Sequence, residues 1–385
     1  MLYRTFGKTG EQVSILGFGC MRLPIVGDDP SHIDEPEAIR MIRYAIDAGV
    51  NYVDTAYPYH GTGFGHGGFS EPLVAKALRD GYRQRVKLAT KLPSWLIKSR
   101  ADMDKYLNEQ LERLETDHID FYLVHSLNVN SWATVKKCGV AEFLDQAIRD
   151  GRIKYAGFSF HDQLPLFKEI VDAYDWSFCQ IQYNYLDEKY QAGKEGLMYA
   201  AGKGLGITIM EPLRGGKIVN LPQEAKELLE RAAPGRSAAE WGLRWVWNHP
   251  EVSVVLSGMT AMEQVVENVK IAGDARPDSL SAAELATIDR VKTVFRERVK
   301  VQCTACGYCM PCPVGINIPG SFSFYNDHWV FDANPQIKAM YLRQSTLTNA
   351  APASKCVECG RCESHCPQGI AIRKELKNVG ELFGA

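Results

Sequence analysis

The sequence predicts an α/β protein, a closed (β/α)8 barrel of the TIM type followed by a small, mainly α-helical, ferredoxin-like domain. Three observations carry the prediction. Up to about residue 298, short β-rich runs alternate with longer segments of helical period, the pattern of repeated βα units feeding a parallel sheet. The β-rich runs number eight. Beyond that point the composition changes, and eight of the eleven cysteines fall in two tight runs, 303–312 and 356–366. The expected domains are therefore 1–298 and 299–385.

In order, the candidate strands are 14–19, 52–55, 86–90, 119–124, 155–159, 178–182, 206–210 and 252–256, rich in β-branched and aromatic residues and bounded by turn formers. The intervening segments place apolar residues three and four apart, so helices are expected at 37–48, 71–79, 100–114, 140–150, 163–174, 189–203, 238–247 and 261–271. Pro36 opens the first, and Ser70 with Pro72 offers the second a cap and a proline in its first turn. About 250 residues is the usual size of such a barrel, which this region matches. A further helix at 281–301 leads into the cysteine-rich part, where a helical stretch at 334–344 separates the two runs.

Composition narrows the functional classes. The 385 residues are 45% hydrophobic, carry a net charge of −2 and hold no run of lysines and arginines, so neither disorder nor a nucleic-acid partner is expected. No apolar stretch approaches the roughly 20 residues that cross a bilayer, and the opening MLYRTFGKTG lacks the apolar region of a signal peptide. A cytoplasmic location is expected. The oligomeric state is left open.

The runs read Cys303-Thr-Ala-Cys306-Gly-Tyr-Cys309-Met-Pro-Cys312-Pro and Cys356-Val-Glu-Cys359-Gly-Arg-Cys362-Glu-Ser-His-Cys366-Pro. Three thiolates at every third residue wrap one corner of a cubane cluster, while the cysteine before proline reaches a second one, so two [4Fe-4S] clusters are the expected cofactors. Zinc knuckles show separated pairs or completing histidines, and disulfide frameworks belong to secreted chains. By the ferredoxin pattern, Cys303, Cys306 and Cys309 share a cluster with Cys366, and Cys356, Cys359 and Cys362 share the other with Cys312. The first run has two residues rather than three before its last cysteine, which leaves open the cluster that Cys312 serves.

A barrel of this kind carries its chemistry on the carboxyl face, where strands end. Asp54, Lys91, His125, Ser159 and Asn184 all fall at or just past the ends of proposed strands. The segments Asn51-Tyr-Val-Asp54-Thr-Ala-Tyr-Pro-Tyr59, Leu88-Ala-Thr-Lys91 and Asp120-Phe-Tyr-Leu-Val-His125 resemble the aldo-keto reductases, as do Gly17-Phe-Gly-Cys-Met-Arg-Leu-Pro24, Gly157-Phe-Ser159, Gln180-Ile-Gln-Tyr-Asn184, Pro212-Leu-Arg-Gly-Gly216 and Glu267-Asn268. The likeness runs from near the start to about residue 272. With its cysteine tail the chain resembles the iron–sulfur branch of that superfamily, a barrel followed by a dicluster domain. The resemblance implies hydride transfer to a carbonyl or from an alcohol. It further implies Tyr59 as general acid, Lys91 as the ammonium that lowers its pKa, Asp54 as the ion-pair partner of Lys91, and His125 as the group orienting the substrate oxygen. A tyrosine beside an ammonium can give and take a proton near neutral pH. Tyr57 is a rival donor, and Tyr59 is preferred because its spacing from Asp54 matches the family motif.

For the cofactor, the resemblance points to Cys20, Met21, Ser159, Gln180, Met210, Pro212, Leu213, Arg214, Gly216, Ser257, Gly258, Gln264 and Asn268. Ser159 and Gln180 match the family's contacts to a nicotinamide amide, whereas Phe160 replaces an asparagine and Met210 stands where an aromatic ring would stack. The loop 257–264 lacks the lysine and arginine that commonly pair with the 2′-phosphate of NADP. Arg214 with Gly216, and Gly258 with Asn268, follow the seventh and eighth strands, where barrels bind phosphate. NADH, NADPH and flavin mononucleotide all fit that placement, and a flavin would mediate between a two-electron hydride and one-electron clusters. The expected partners are a small carbonyl or alcohol substrate and a ferredoxin-like electron carrier. Two other readings stay open: a nicotinamide-dependent carbonyl reductase with structural clusters, and an electron-transfer subunit with an idle barrel. The glycine-rich loop 59–69, with His60 and His66, reads as a mobile substrate loop or a metal contact.

Overall fold

The computed structural model describes residues 1–63, 65–303, 305–332 and 335–384. A hairpin of β1 (Tyr3–Thr5) and β2 (Gln12–Ser14) comes first. Eight strands then close a parallel barrel: β3 (Leu16–Gly19), β4 (Tyr52–Asp54), β5 (Lys87–Leu92), β6 (Ile119–Leu127), β7 (Ile153–Phe160), β8 (Phe178–Gln182), β9 (Gly206–Met210) and β10 (Val254–Gly258). Neighbours follow chain order, and β10 returns to pair with β3.

The expected run 14–19 is two elements. Ser14 N–H donates to Asn51 Oδ1 (2.7 Å), far along the chain, and Ser14 Oγ to the nearby Leu16 carbonyl (2.7 Å), bonds that end β2 and turn the chain into β3. The last strand lies two residues later than expected at both ends, because its register with β3 extends to Gly258 opposite Gly19. The expected barrel helices are present as Glu35–Asp47, Ser70–Ala77, Arg100–Arg113, Val140–Arg149, Leu164–Asp172, Gly193–Gly202, Ala238–Trp247 and Met262–Ile271. Asp34 caps the first through Glu37 N–H (3.3 Å). Ser70 caps nothing: it lies inside the second helix, its hydroxyl donating to the Cys20 carbonyl (3.0 Å) and paired with Thr55 Oγ1 (2.8 Å). The helices Val129–Lys137 and Gln223–Ala232 were not foreseen.

Aromatic side chains fill the barrel. Phe6 lies edge-on to Phe121 at 4.7 Å and tilts against Phe178 at 5.4 Å, within a buried set that includes Tyr52, Leu123 and Val254. Gly206 makes room for it, since a Cβ there would stand 2.7 Å from the Phe6 ring. Tyr52, Phe178 and Gly206 are first residues of their strands, so the residue carried by the hairpin plugs the amino-terminal end. The carboxyl end is left for chemistry.

Packing gathers the chain into two units, Met1–Gly216 with Ala239–Ser281, and Lys217–Ala238 with Ala282–Ala385. This cut differs from the motif-based boundary at 298/299: the helix Gln223–Ala232 and the helix Ala282–Glu297 pack on each other within the second unit. That unit is otherwise built from the helices Ile318–Val330, Pro335–Leu347 and Ile372–Phe383. Tyr341 stacks on Phe383 at 4.8 Å, and its hydroxyl accepts from Ala353 N–H (2.9 Å). The stretch expected at 334–344 is the second of these helices; Asn334 lies outside the described residues, as do Phe64 in the glycine-rich loop and Thr304 in the first cysteine run. Among the described residues no helix is long and apolar enough to cross a membrane.

Candidate active site and cluster site

Asp54 ends β4, Lys91 stands one residue before the end of β5, and His125 lies near the end of β6, so successive strands deliver three of the four expected catalytic side chains to one rim. Lys91 is fully buried. Its Nζ donates to Asp54 Oδ1 (2.6 Å) and to the Thr55 carbonyl (2.7 Å). The same ammonium lies 4.8 Å from the centroid of the Tyr59 ring, which in turn meets His125 edge-on at 6.0 Å. Burial works against the Lys91 charge, but Asp54 and Tyr59 more than restore it, and its pKa rises. Burial likewise raises the Asp54 carboxyl against the pull of Lys91, yet the direct ion pair to a fully buried ammonium keeps both groups charged. For Tyr59, Lys91 acts in the expected downward sense, but burial raises the phenol further than Lys91 lowers it, and the side chain stays protonated at neutral pH. His125 is pushed well below the usual imidazole value by burial, then by Lys91 and His161, so it is neutral.

Tyr57, the rival donor, is occupied elsewhere. Its hydroxyl donates to Glu109 Oε1 (2.9 Å), its ring meets Tyr106 at 5.3 Å, and burial raises its pKa to about 12. His60 is a structural residue, with Nε2 accepting from Leu23 N–H (3.0 Å) and Nδ1 on the Pro30 carbonyl (2.7 Å). One residue that sequence reading passed over is Trp95, four positions beyond Lys91, whose ring lies 5.2 Å from His125 and is 37% exposed. Its position just after a strand-end lysine was the available signal. Ser94 Oγ beside it donates to the His125 carbonyl (2.6 Å).

The expected cofactor residues spread along the same rim. Cys20 follows β3 and is fully buried, with its thiol raised by that burial, while the adjacent Met21 is exposed. Ser159 Oγ accepts from Ser126 N–H (2.7 Å), which holds the irregular end of β6, where Ser126 takes a positive φ. Gln180 is buried in β8; its amide nitrogen meets the Met210 sulfur at 3.5 Å and its Oε1 has no partner. Pro212 is buried, Leu213 fills the space over Gly242, and Arg214 pairs with Asp187 (3.5 Å) just before Gly216. Ser257 and Gly258 end β10, and Asn268 Nδ2 donates to Ser257 Oγ (3.0 Å). Gln264 is exposed and turned to its own helix start, accepting from Thr260 N–H (2.8 Å). Arg22, not singled out from sequence, reaches the Gly215 carbonyl (2.9 Å) and Glu211 (3.5 Å). An unpartnered, buried amide oxygen with a serine hydroxyl on the neighbouring strand suits a ligand carrying a carboxamide, and nicotinamide fits that description.

In the second unit, Cys303, Cys306, Cys309 and Cys366 line one cavity with Ile318, Phe322 and Ile372. The backbone just before Cys303 is fixed by Asn326, whose Oδ1 accepts from Lys300 and Val301 N–H (3.0 and 2.9 Å) and whose Nδ2 donates to the Val301 carbonyl (2.7 Å). The two runs repeat one backbone course. Ala305 and Glu358, each just before the second cysteine, have positive φ (56° and 53°), and Gly307 and Gly360, each just after it, have φ of 79° and 75°. Such left-handed residues turn successive cysteines inward around a common centre. Burial, then neighbouring thiols, raise Cys309 to about 11 and also raise Cys303; cationic iron relieves both costs. No group of three or more histidine, cysteine, aspartate or glutamate side chains among the described residues gathers tightly enough to hold one metal ion. A cubane asks for less, since each of its thiolates binds a different iron, and the cavity fits that group.

Residues 15–292 match the aldo/keto reductase family and residues 302–371 match the 4Fe-4S dicluster domain. The chain is similar to an uncharacterized oxidoreductase YrpG of Bacillus subtilis (26% identical, covering 70% of this chain and 90% of that one). It is also similar to the 6-dehydroglucose reductase of Novosphingobium aromaticivorans (27%; 70% and 89%) and the L-galactose dehydrogenase of Arabidopsis thaliana (25%; 75% and 93%). Among solved structures it resembles the aldo-keto reductase AKR11C1 from Bacillus halodurans in its holo form, with a TM-score of 0.61 and 27% identity over 76% of this chain and 96% of that one.

Proposed function

Since the chain belongs to the aldo/keto reductase family and is an oxidoreductase with a 4Fe-4S dicluster domain, we propose that it interconverts a small carbonyl and its alcohol at Asp54, Tyr59, Lys91 and His125, and that the second domain carries two [4Fe-4S] clusters. The observation that carries this reading is the fully buried Lys91, ion-paired to Asp54 and lying against the Tyr59 ring. A buried ammonium held charged at that spot serves a proton donor: as hydride reaches the carbonyl carbon, negative charge grows on the oxygen, and Tyr59 delivers its proton there while Lys91 stabilises the phenolate left behind. Neutral His125 directs the carbonyl oxygen toward Tyr59, and Trp95 walls the same space.

A bound nicotinamide supplies the hydride, and the clusters exchange single electrons with a ferredoxin-like carrier. The unpartnered Gln180 Oε1 would accept from the carboxamide of a nicotinamide. NADH is favoured over NADPH, because Glu263 stands in the first turn of the helix after β10 and no lysine or arginine lies within 257–264. Cys303, Cys306, Cys309 and Cys366 hold one cluster; Cys356, Cys359 and Cys362 hold the other with Cys312. The site works in the cytoplasm, with the barrel in 1–298 and the clusters in 299–385.

Tyr59→Phe tests the assignment. Turnover of the carbonyl should be lost while iron content stays at the wild-type value, and undiminished turnover in that variant overturns it. Isothermal titration should give tighter binding of NADH than NADPH, and Gln264→Arg should narrow the difference.

A further inference from the structure

The glycine-rich loop 59–69 runs from the proposed proton donor into the helix Ser70–Ala77, and the second residue of that helix, Glu71, is completely buried. A buried carboxylate survives only when its oxygens are saturated. Here Oε1 accepts from Thr90 Oγ1 (2.7 Å) and Gln110 Nε2 (2.7 Å), and Oε2 accepts from Arg113 Nε (2.9 Å). Each partner leads to the active site. Thr90 immediately precedes Lys91, and Gln110, itself buried, also donates to the Lys91 carbonyl (3.1 Å) while Tyr122 OH holds its Oε1 (2.8 Å). Arg113 reaches the other way: its Nη2 donates to the Gly68 carbonyl, and its guanidinium lies over the Tyr57 ring at 5.5 Å. A Cβ at Gly67 would stand 2.8 Å from that guanidinium, which Glu71 holds in place. The loop closes beside Tyr59, with Ser70 N–H on the Tyr59 carbonyl (3.2 Å) and Gly68 N–H on the Tyr57 carbonyl (2.7 Å).

We infer that Glu71, Gln110 and Arg113 are positioning residues that tie the exit of the glycine-rich loop to β5, and so hold Tyr59 over Lys91. The inference rests on the proposed role of Tyr59 and adds what keeps it in place. None of the three touches the reacting atoms in the proposed site. They act through the backbone on both sides of the proton-donor pair, Gly68 to Ser70 on one side and Thr90 to Lys91 on the other.

Two variants break the clamp from opposite sides. Arg113→Met removes the guanidinium, and Gly67→Ala pushes the loop off it from an accessible segment that leaves the barrel core intact. Hydrogen–deuterium exchange over 57–70 should quicken in both while the remaining barrel peptides keep wild-type rates. With 4-nitrobenzaldehyde and NADH, kcat should fall by about 10²-fold for Arg113→Met, the scale of a 1 Å misplacement, and by less for Gly67→Ala, with the KM for NADH unchanged. Wild-type exchange over 57–70 in either folded variant overturns the clamp, and so does faster exchange spread evenly over the barrel, which marks a merely structural pair. The tetrad is judged separately: Tyr59→Phe turning over the aldehyde at the wild-type rate sinks that reading, while the loop exchange still decides the clamp.

Discussion

At the scale of single residues, the site depends on charges that burial would erase if they stood alone. Lys91 is surrounded by protein, and what keeps it an ammonium is Asp54 at 2.6 Å. Asp54→Asn keeps the shape and removes the compensation, so the protein should lose about 3–5 kcal/mol in chemical denaturation, the usual result of stranding one member of a buried pair. The sign of the linkage sets the pH window. The Lys91 pKa is raised in the fold, so its contribution is complete below the unfolded value of about 10.4 and is lost as the pH rises from there through the folded value. The loss should therefore be constant across neutral pH. His125 behaves in the opposite sense. Its pKa is depressed by burial and by Lys91, and Tyr59 stays protonated, so the reductive pH–rate profile should be flat through neutrality, without the break near 6.5 of an ordinary imidazole. A break there in kcat/KM would show that His125 carries a proton the structure denies it.

At the scale of elements, what was legible in the sequence is what repeats or stands in register. Strand-end residues Asp54, Lys91, His125 and Ser159 declared themselves because a parallel barrel delivers every strand end to one face. β8 and β9 have the expected bounds. The split between β2 and β3 was illegible because it rests on Ser14 bonding to Asn51, thirty-seven residues away. Glu71, Gln110 and Arg113 were invisible for the same reason, since only the fold brings two helices and β5 together around them. Tyr57 and Tyr59 were separable only by motif until Glu109 claimed one of them. Phe6 belongs to this scale too. Carried past a three-residue strand, it supplies the plug of the barrel floor, and Phe6→Ala should cost about 3–5 kcal/mol, read as a lowered denaturation midpoint with the tetrad chemistry retained.

At the scale of the whole chain, the question is how two runs of four cysteines divide between two clusters. The family match to a 4Fe-4S dicluster domain gives the number of clusters and leaves the pairing to geometry. Cys303, Cys306 and Cys309 line their cavity with Cys366, which lies more than fifty residues further on, and Cys312 is absent from that lining. The repeated backbone course, left-handed before and after the second cysteine of each run, suits both runs to cup a cluster in the same way. Single serine variants cannot tell this crossed pairing from a linear one, since each removes one ligand of one cluster in either scheme. The double variant Cys303→Ser, Cys366→Ser separates them. If the pairing is crossed, both substitutions fall on one cluster, and anaerobically purified protein should keep half its iron and the visible absorbance of the other cluster. If each run holds its own cluster, both are damaged and iron falls toward zero. Because each run also pins a helix of the second unit, Ile318–Val330 after the first and Ile372–Phe383 after the second, the crossed scheme makes each cluster a staple between distant parts of the sequence. The double variant should then unfold in the second unit at lower denaturant than wild type, with the iron count rather than the midpoint separating the two schemes.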